Sequence, residues 1–528
     1  MDERPQHIQA ADQPEGASAS RDVAQPEGVL ANREVAQPMN EEGQAPLKRD
    51  QKTARMGTHS IPKLLVEFAI PAIAGMLVNG AYNLIDSIFL GQAMGEIGLS
   101  VATAAMPLMT AFLALAMLIG NGGNALAALR LGEGDREAAE RTLGNTVMLG
   151  IIISVVVLVF VSIPPCMELL LSLSSTTEEI HDLTASFLYI LAAGLIFNII
   201  GFGVNNFIRT AGAPNVALFT MVVGTVVCIT LNWLFVLVLG WGVVGSALAT
   251  VLGHAVSCVC VIAYFTVVKD VPLRLHKRYL PLDWSTVKTI LALGAASFAI
   301  QVGFALVNFV INYMLVLYGS QHPMGAEAAL ASIGIVQRVG FIAFLPIMGI
   351  AVAAQPLLGF NYGASKIDRV RSALKWAMLF ATVLGTITWA CVQLFAGPIV
   401  GIFGLRDPSL TEFTAFALRV QQAMLLVVGF QVVVSQYFQA TGQPVKSIIL
   451  SLTRQVLFLI PLYFVLPVAL PVLVPSLTSL DAIYFAVPIA DILAIITSIF
   501  FLVWELRRLR KVESGEIEAK FGRKRANA

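Results

Sequence analysis

Charge is scarce in this chain. Aspartate, glutamate, lysine and arginine make up only 13% of its 528 residues, against 57% hydrophobic, and mean hydropathy is +0.78. That balance excludes an ordinary soluble globular protein. A basic surplus is missing as well: the formal net charge of +1 selects no nucleic-acid partner, and none is expected. Cysteine is sparse. Cys166, Cys228, Cys258, Cys260 and Cys391 lie in or at the end of apolar runs, form no metal-ligand pattern with histidine, and read as small packing side chains. The apolar runs contain neither HExxH nor GxSxG, and no GxxxxGK[ST] loop is present, so neither intramembrane catalysis nor direct ATP hydrolysis has its machinery. No catalytic residue, resident metal or cofactor is expected. The amino terminus lacks the basic start and apolar run of a signal peptide, so the first hydrophobic segment is expected to be retained.

What the chain has in abundance is apolar runs of about 20 residues, each long enough to span a bilayer. They show no period-two alternation, which argues against a barrel. The fold class read from them is all-α: a polytopic membrane protein with twelve transmembrane helices near 62–91, 99–129, 140–164, 183–208, 215–240, 243–268, 286–318, 327–358, 370–396, 412–439, 446–469 and 482–506. Residues 1–57 are rich in Gln, Glu, Ala, Pro and Gly, with VAQPEG (23–28) loosely repeated as VAQPMN (35–40), and are expected to be a disordered tail. The division is then a six-helix lobe over 58–268, a linker over 269–285, a second six-helix lobe over 286–510, and a tail over 511–528.

Loop charge sets the orientation. Connections after even-numbered spans carry Arg130, Arg136, Arg141, Arg209, Lys269, Arg274, Lys277, Arg278, Lys366, Arg369, Arg371 and Lys446, and the last span leads into Arg507, Arg508, Arg510 and Lys511. On the other side Arg406 stands alone among acidic residues. By the positive-inside rule both termini are expected in the cytoplasm. The chain also repeats itself. LVN at 77–79 returns at 306–308, with Asn83 on Asn312, a shift of 229. LGEGDREAAE (131–140) returns as FNYGASKIDR (360–369), placing Gly134 on Gly363, and TAGAP (210–214) returns as ATGQP (440–444). Three islands in order indicate two homologous lobes, and because six is even they form a parallel repeat.

Polar residues inside the spans are few. Asn79, Tyr82, Asn83 and Asp86 fall at i, i+3, i+4 and i+7, one face of the first helix. A carboxylate placed centrally in a span costs roughly 2.5–3.5 kcal/mol on insertion scales, so that face must line protein or a wet cavity. The seventh span carries Gln301, Asn308 and Asn312, candidates for the substrate cavity alongside Asn79, or equally for glue between helices. Arg454 and Asp491 are expected to pair and hold the C-terminal lobe together. His254 is a candidate proton relay or a structural hydrogen-bonding group.

YNLIDSIFLG (82–91), FIRTAGAP (207–214), GVVGSALATVLG (242–253), QPLLGFNYGA (355–364), LTRQVLFLIP (452–461) and VPIAD (487–491) together resemble the MATE family (multidrug and toxic compound extrusion), in its MepA-like bacterial branch. The resemblance covers residues 60–510. It implies a plasma-membrane antiporter with two lobes that alternates between inward- and outward-facing cavities and exports cationic or amphipathic drugs, driven by a proton or sodium gradient. It also implies that Tyr82, Asp86 and Thr250 help to form the ion site of the N-terminal lobe. The fifth helix departs from the family pattern: where relatives commonly show Asn-x-x-x-Asp, this chain has Cys228-Ile-Thr-Leu-Asn232. A thiol is a poor ligand for a hard cation. A single protonatable Asp86, with Tyr82, Asn83, Asn232 and Thr250 around it, suffices for protons, so proton coupling is expected over sodium. The alternative is a lipid-linked precursor or polysaccharide flippase of the same superfamily, for which only Arg338 and Arg454 offer cavity cations. The expected partners are a small cationic or amphipathic substrate and the lipid bilayer, with the chain acting as a monomer.

Overall fold

The computed structural model describes residues 48–173, 178–405 and 407–516, and leaves the side chains of residues 48–52, 81–84, 87, 96, 99, 173, 178 and 179 outside that description. Every regular element among these residues is a helix. Ten are long and apolar enough to cross a membrane, and two bent pairs bring the number of spans to twelve. The first and second spans are the limbs of one helical run, Ile61–Glu133, broken at Gly95. There φ is 59° and ψ −133°, a conformation open in practice only to glycine. The third is Arg136–Ser162, the fourth the pair Ile180–Ala193 and Leu195–Thr210, the fifth Pro214–Val238 and the sixth Gly242–Thr266. The second lobe follows with Trp284–Gly319, Gly325–Gly363, Ile367–Gly401, the pair Pro408–Gln421 and Leu425–Ala440, Pro444–Leu473 and Ser479–Glu513 as spans seven to twelve.

Helix starts are set by local chemistry. Asp135 caps the third span by accepting from the Ala138 amide at 2.9 Å, and Thr478 with Asp481 forms a reciprocal capping box at the twelfth. Between helices, close approach depends on small residues, because lipid offers no hydrophobic drive for helices to associate. A Cβ on Gly122 would strike the Ile290 carbonyl, one on Gly294 the Leu118 carbonyl, and one on Gly349 the backbone of Ile73. These contacts join the second span to the seventh and the first to the eighth, so they are the seams between the two lobes.

Around the loops after the second and eighth spans, the repeat has a register two residues away from the one read in the sequence, while TAGAP and ATGQP keep their shift, with Gly212 (φ 81°) and Gly442 (φ 75°) both left-handed. Gly132, not Gly134, is the counterpart of Gly363. A Cβ on Gly132 would meet Phe360 O and Ala364 N, and one on Gly363 would meet Leu129 O and Glu133 N. Leu129 with Phe360, Gly132 with Gly363 and Glu133 with Ala364 are each 231 apart, so the seam is a reciprocal, two-fold-like contact. The left-handed residues Gly134 (φ 82°) and Ser365 (φ 56°) obey the same shift. So do Asn124 and Gln355, which are hydrogen-bonded to each other at 3.0 Å. Gly134 belongs to the helix end rather than to the seam.

Most of the amino-terminal tail lies outside the described residues. Its last part departs from the expected disorder, for Lys48–Thr58 is a helix. It is polar, so its order comes from docking rather than from an apolar face. The Met56 side chain is fully buried, and the helix's terminal carbonyls are taken by cations, as the helix dipole favours. Arg369 Nη2 donates to Met56 O at 3.0 Å and to His59 O at 2.6 Å, and Lys366 Nζ donates to Gly57 O at 2.8 Å. Asn361 Nδ2 also donates to Met56 O, at 3.0 Å.

Candidate functional site

Asp86 lies on the first limb of Ile61–Glu133 and is 8% exposed. Its partner is Ser246 of the sixth span, whose Oγ donates to Asp86 Oδ1 at 2.6 Å. Asn232 of the fifth span lies near the carboxylate, its amide acting on it as a donor. Tight packing of the fifth span on the sixth makes this possible: a Cβ on Gly224 would come 2.9 Å from Gly253 O, and one on Gly253 would come 2.6 Å from the Cβ of Cys228. Asn232 Nδ2 contacts Cys228 Sγ at 3.5 Å, while its Oδ1 is buried without a hydrogen-bond partner. Asn232 therefore keeps one buried acceptor unsatisfied on the helix that neighbours Asp86.

The other predicted residues divide. Thr250 is buried one turn from Ser246 on the same helix. His254 follows one turn later, and the Asn198 Nδ2 of the fourth span lies 3.4 Å from its Nε2. Tyr82 and Asn83 have side chains outside the described ones. Asn79 and Gln301 are half-buried and Asn312 is exposed. Asn308 donates to Phe304 O of its own helix at 2.9 Å. Arg454 Nε donates to Asp491 Oδ1 at 2.5 Å, with Asp491 2% exposed.

Removing one partner of a buried pair leaves the other charge uncompensated, at a cost of about 3–5 kcal/mol, whereas replacing both by apolar residues is often neutral. Arg454→Met alone should therefore lower the thermal unfolding midpoint strongly, and Arg454→Met with Asp491→Leu should recover most of the loss. A single variant as stable as the parent would rule out a structural role for the pair.

Sequence reasoning missed two groups. Ser246 stands four residues before Thr250 in GVVGSALATVLG, and that i, i+4 spacing was the available signal. The second group is an amide network across the lobe seam. Asn121 Nδ2 donates to Ser297 Oγ at 3.0 Å, and Gln439 Nε2 donates to the same oxygen at 3.0 Å. Asn206 Nδ2 donates to Asn121 Oδ1 at 3.1 Å, Thr210 Oγ1 donates to Asn124 Oδ1 at 2.6 Å, and buried Arg209 donates to Asn206. Together with the Gly132–Gly363 seam and the docked Lys48–Thr58 helix, these contacts tie the lobes together at the end of the bundle that carries the basic loops.

The MatE family model matches residues 71–234 and 296–465. The chain is 24% identical over 473 residues to the multidrug export protein MepA of Staphylococcus haemolyticus, covering 89% of this chain and 99% of that one. With MepA of Staphylococcus aureus the figures are 24% over 455 residues, 86% and 96%. Among solved structures, an outward-facing multidrug resistance MATE transporter of the MOP superfamily superposes with a TM-score of 0.79 at 24% identity, over 89% of this chain and all of that one. A MOP superfamily transporter from Pyrococcus furiosus, described as having a binding pocket of reversed polarity, matches with the same TM-score, identity and coverage.

Proposed function

The chain belongs to the MatE family, and from that premise we propose that it exports cationic or amphipathic drugs and toxic metabolites, driven by the proton gradient through Asp86. The observation that carries this reading is the buried Asp86 carboxylate, held by the Ser246 hydroxyl. Protonation removes the penalty of a buried charge. Deprotonation asks for water. A proton can thus bind the buried and the hydrated arrangements with different affinity, which is the requirement for shifting their populations. Ser246, Asn232 and Thr250 would hold the carboxyl, and Ser246 acts as a positioning residue.

Support for protons over sodium comes from the donor set. Cys228 brings a thiol beside Asn232, and a thiol is a poor ligand for a hard cation such as sodium. The contacts joining the lobes at the basic end fit a state sealed on that side, which we place in the cytoplasm together with both termini. The flippase alternative loses one of its two cavity cations, because Arg454 is neutralised by Asp491. Ethidium efflux from cells lacking their own pumps is the test. Export should collapse when a protonophore is added and should persist when sodium is replaced by potassium. Export that survives the protonophore but needs sodium would sink the proton reading, and failure to export any cationic dye would favour a narrower substrate.

A further inference from the structure

A second polar site lies away from Asp86, at the basic end of the bundle. A cavity of about 410 Å³ opens between the start of the third span and the connection joining the two lobes. Its walls carry Arg136, Glu137, Glu140, Arg274, Arg278 and Tyr279, with His276 at the rim. The two carboxylates are already taken. Buried Glu140 accepts from Arg136 Nε at 3.2 Å and from the Arg274 backbone amide at 3.1 Å, with His276 Nε2 at 3.6 Å. Glu137 is paired with Arg141 at 3.3 Å. Arg136 is further fixed by donating to Val271 O at 2.9 Å.

Arg274 and Arg278 are different. Among the described residues neither is ion-paired with a carboxylate. Arg274 Nε is buried without a hydrogen-bond partner. The Arg278 guanidinium lies 4.4 Å over the Tyr279 ring and donates to its hydroxyl, which orients the fork and leaves its charge uncompensated. Two guanidinium groups without a carboxylate partner, one of them oriented on Tyr279 and both lining one cavity with an imidazole, match the charge of a phosphate group. The cavity also lies at the start of the third span and in the connection that follows the sixth, and basic pockets between transmembrane helices take lipid headgroups.

We propose that this cavity binds a phosphate-bearing molecule through Arg274 and Arg278, tying the inter-lobe connection to the third span. The phosphate belongs either to an anionic lipid headgroup or to a soluble phosphate compound. Thermal unfolding of the purified full-length chain in detergent distinguishes them, using phosphatidylglycerol, phosphatidylcholine and inorganic phosphate as probes. The variants are Arg274→Gln with Arg278→Gln, and as a control the exposed pair Arg507→Gln with Arg510→Gln.

The parent and the control should be stabilised by several degrees. The apparent affinity should fall about tenfold or more in the Arg274/Arg278 variant, the loss expected for two charge-assisted forks. A rise with phosphatidylglycerol alone identifies the lipid source, and a rise with inorganic phosphate the soluble one. Should the glutamine variant fail to fold, Arg274→Lys with Arg278→Lys keeps the charge but removes the fork, and it should bind more weakly than the parent. The proposal is overturned by no shift with either anionic probe, by an equal shift with phosphatidylcholine, or by a shift unchanged in the variants.

Discussion

Asp86→Asn should abolish export while leaving the protein folded and at least as stable as the parent. The asparagine keeps an oxygen for the Ser246 hydroxyl and carries no charge, so it imitates the protonated acid and has no proton to release. Coupling free energies of 1–3 kcal/mol correspond to 5–150-fold effects, and removing the titrating group removes the coupling outright. Dye efflux should therefore fall by about a hundredfold, with normal expression and an unfolding midpoint no lower than the parent's. Ser246→Ala, which removes only the positioning contact, should lose less. An Asp86→Asn transporter that pumps at the parental rate would move the coupling site elsewhere in the chain.

The second large effect is expected at the lobe seam. Gly363→Leu, or Gly132→Leu, places a side chain where the partner helix's backbone now lies. Overpacking of this kind costs about 1–3 kcal/mol, and here the strain can be relieved by parting the basic ends of the lobes. The population sealed on that side should then drop by roughly tenfold or more, and transport with it. A cysteine at Ser297, inside the seam, reports this as faster alkylation from the basic side in the variant than in the parent. Gly397→Leu is the control, because nothing lies within 4 Å of a Cβ there. Parental transport and labelling in both seam variants would show that the seam never has to close.

The spans and their number were legible because hydropathy over about 20 residues is a strong signal. Asp86 was legible for the converse reason, since a carboxylate within an apolar run asks for an explanation. Ser246 was not, because serine in a membrane helix usually satisfies itself on the carbonyl four residues back, as Ser154 and Ser498 do here. Only the three-dimensional neighbour singles it out. The amides Asn121, Asn124 and Gln355 were hidden for the same reason. The repeat register slipped because glycine occurs at both 132 and 134, and only the reciprocal backbone contact chooses between them. The helix at Lys48–Thr58 was invisible to composition, since its partners lie on the far side of the chain.

That last separation has a consequence for how the protein is made. Met56 O is held by Asn361, 305 positions later, and by Arg369, 313 positions later. At translation rates of about 5–20 residues per second, the first described helix waits on the order of 15–60 s for its dock to be synthesised. Six spans and more are committed to the bilayer before the N-terminal helix can settle. The contact that begins the described sequence thus waits until the eighth span and the start of the ninth have been made.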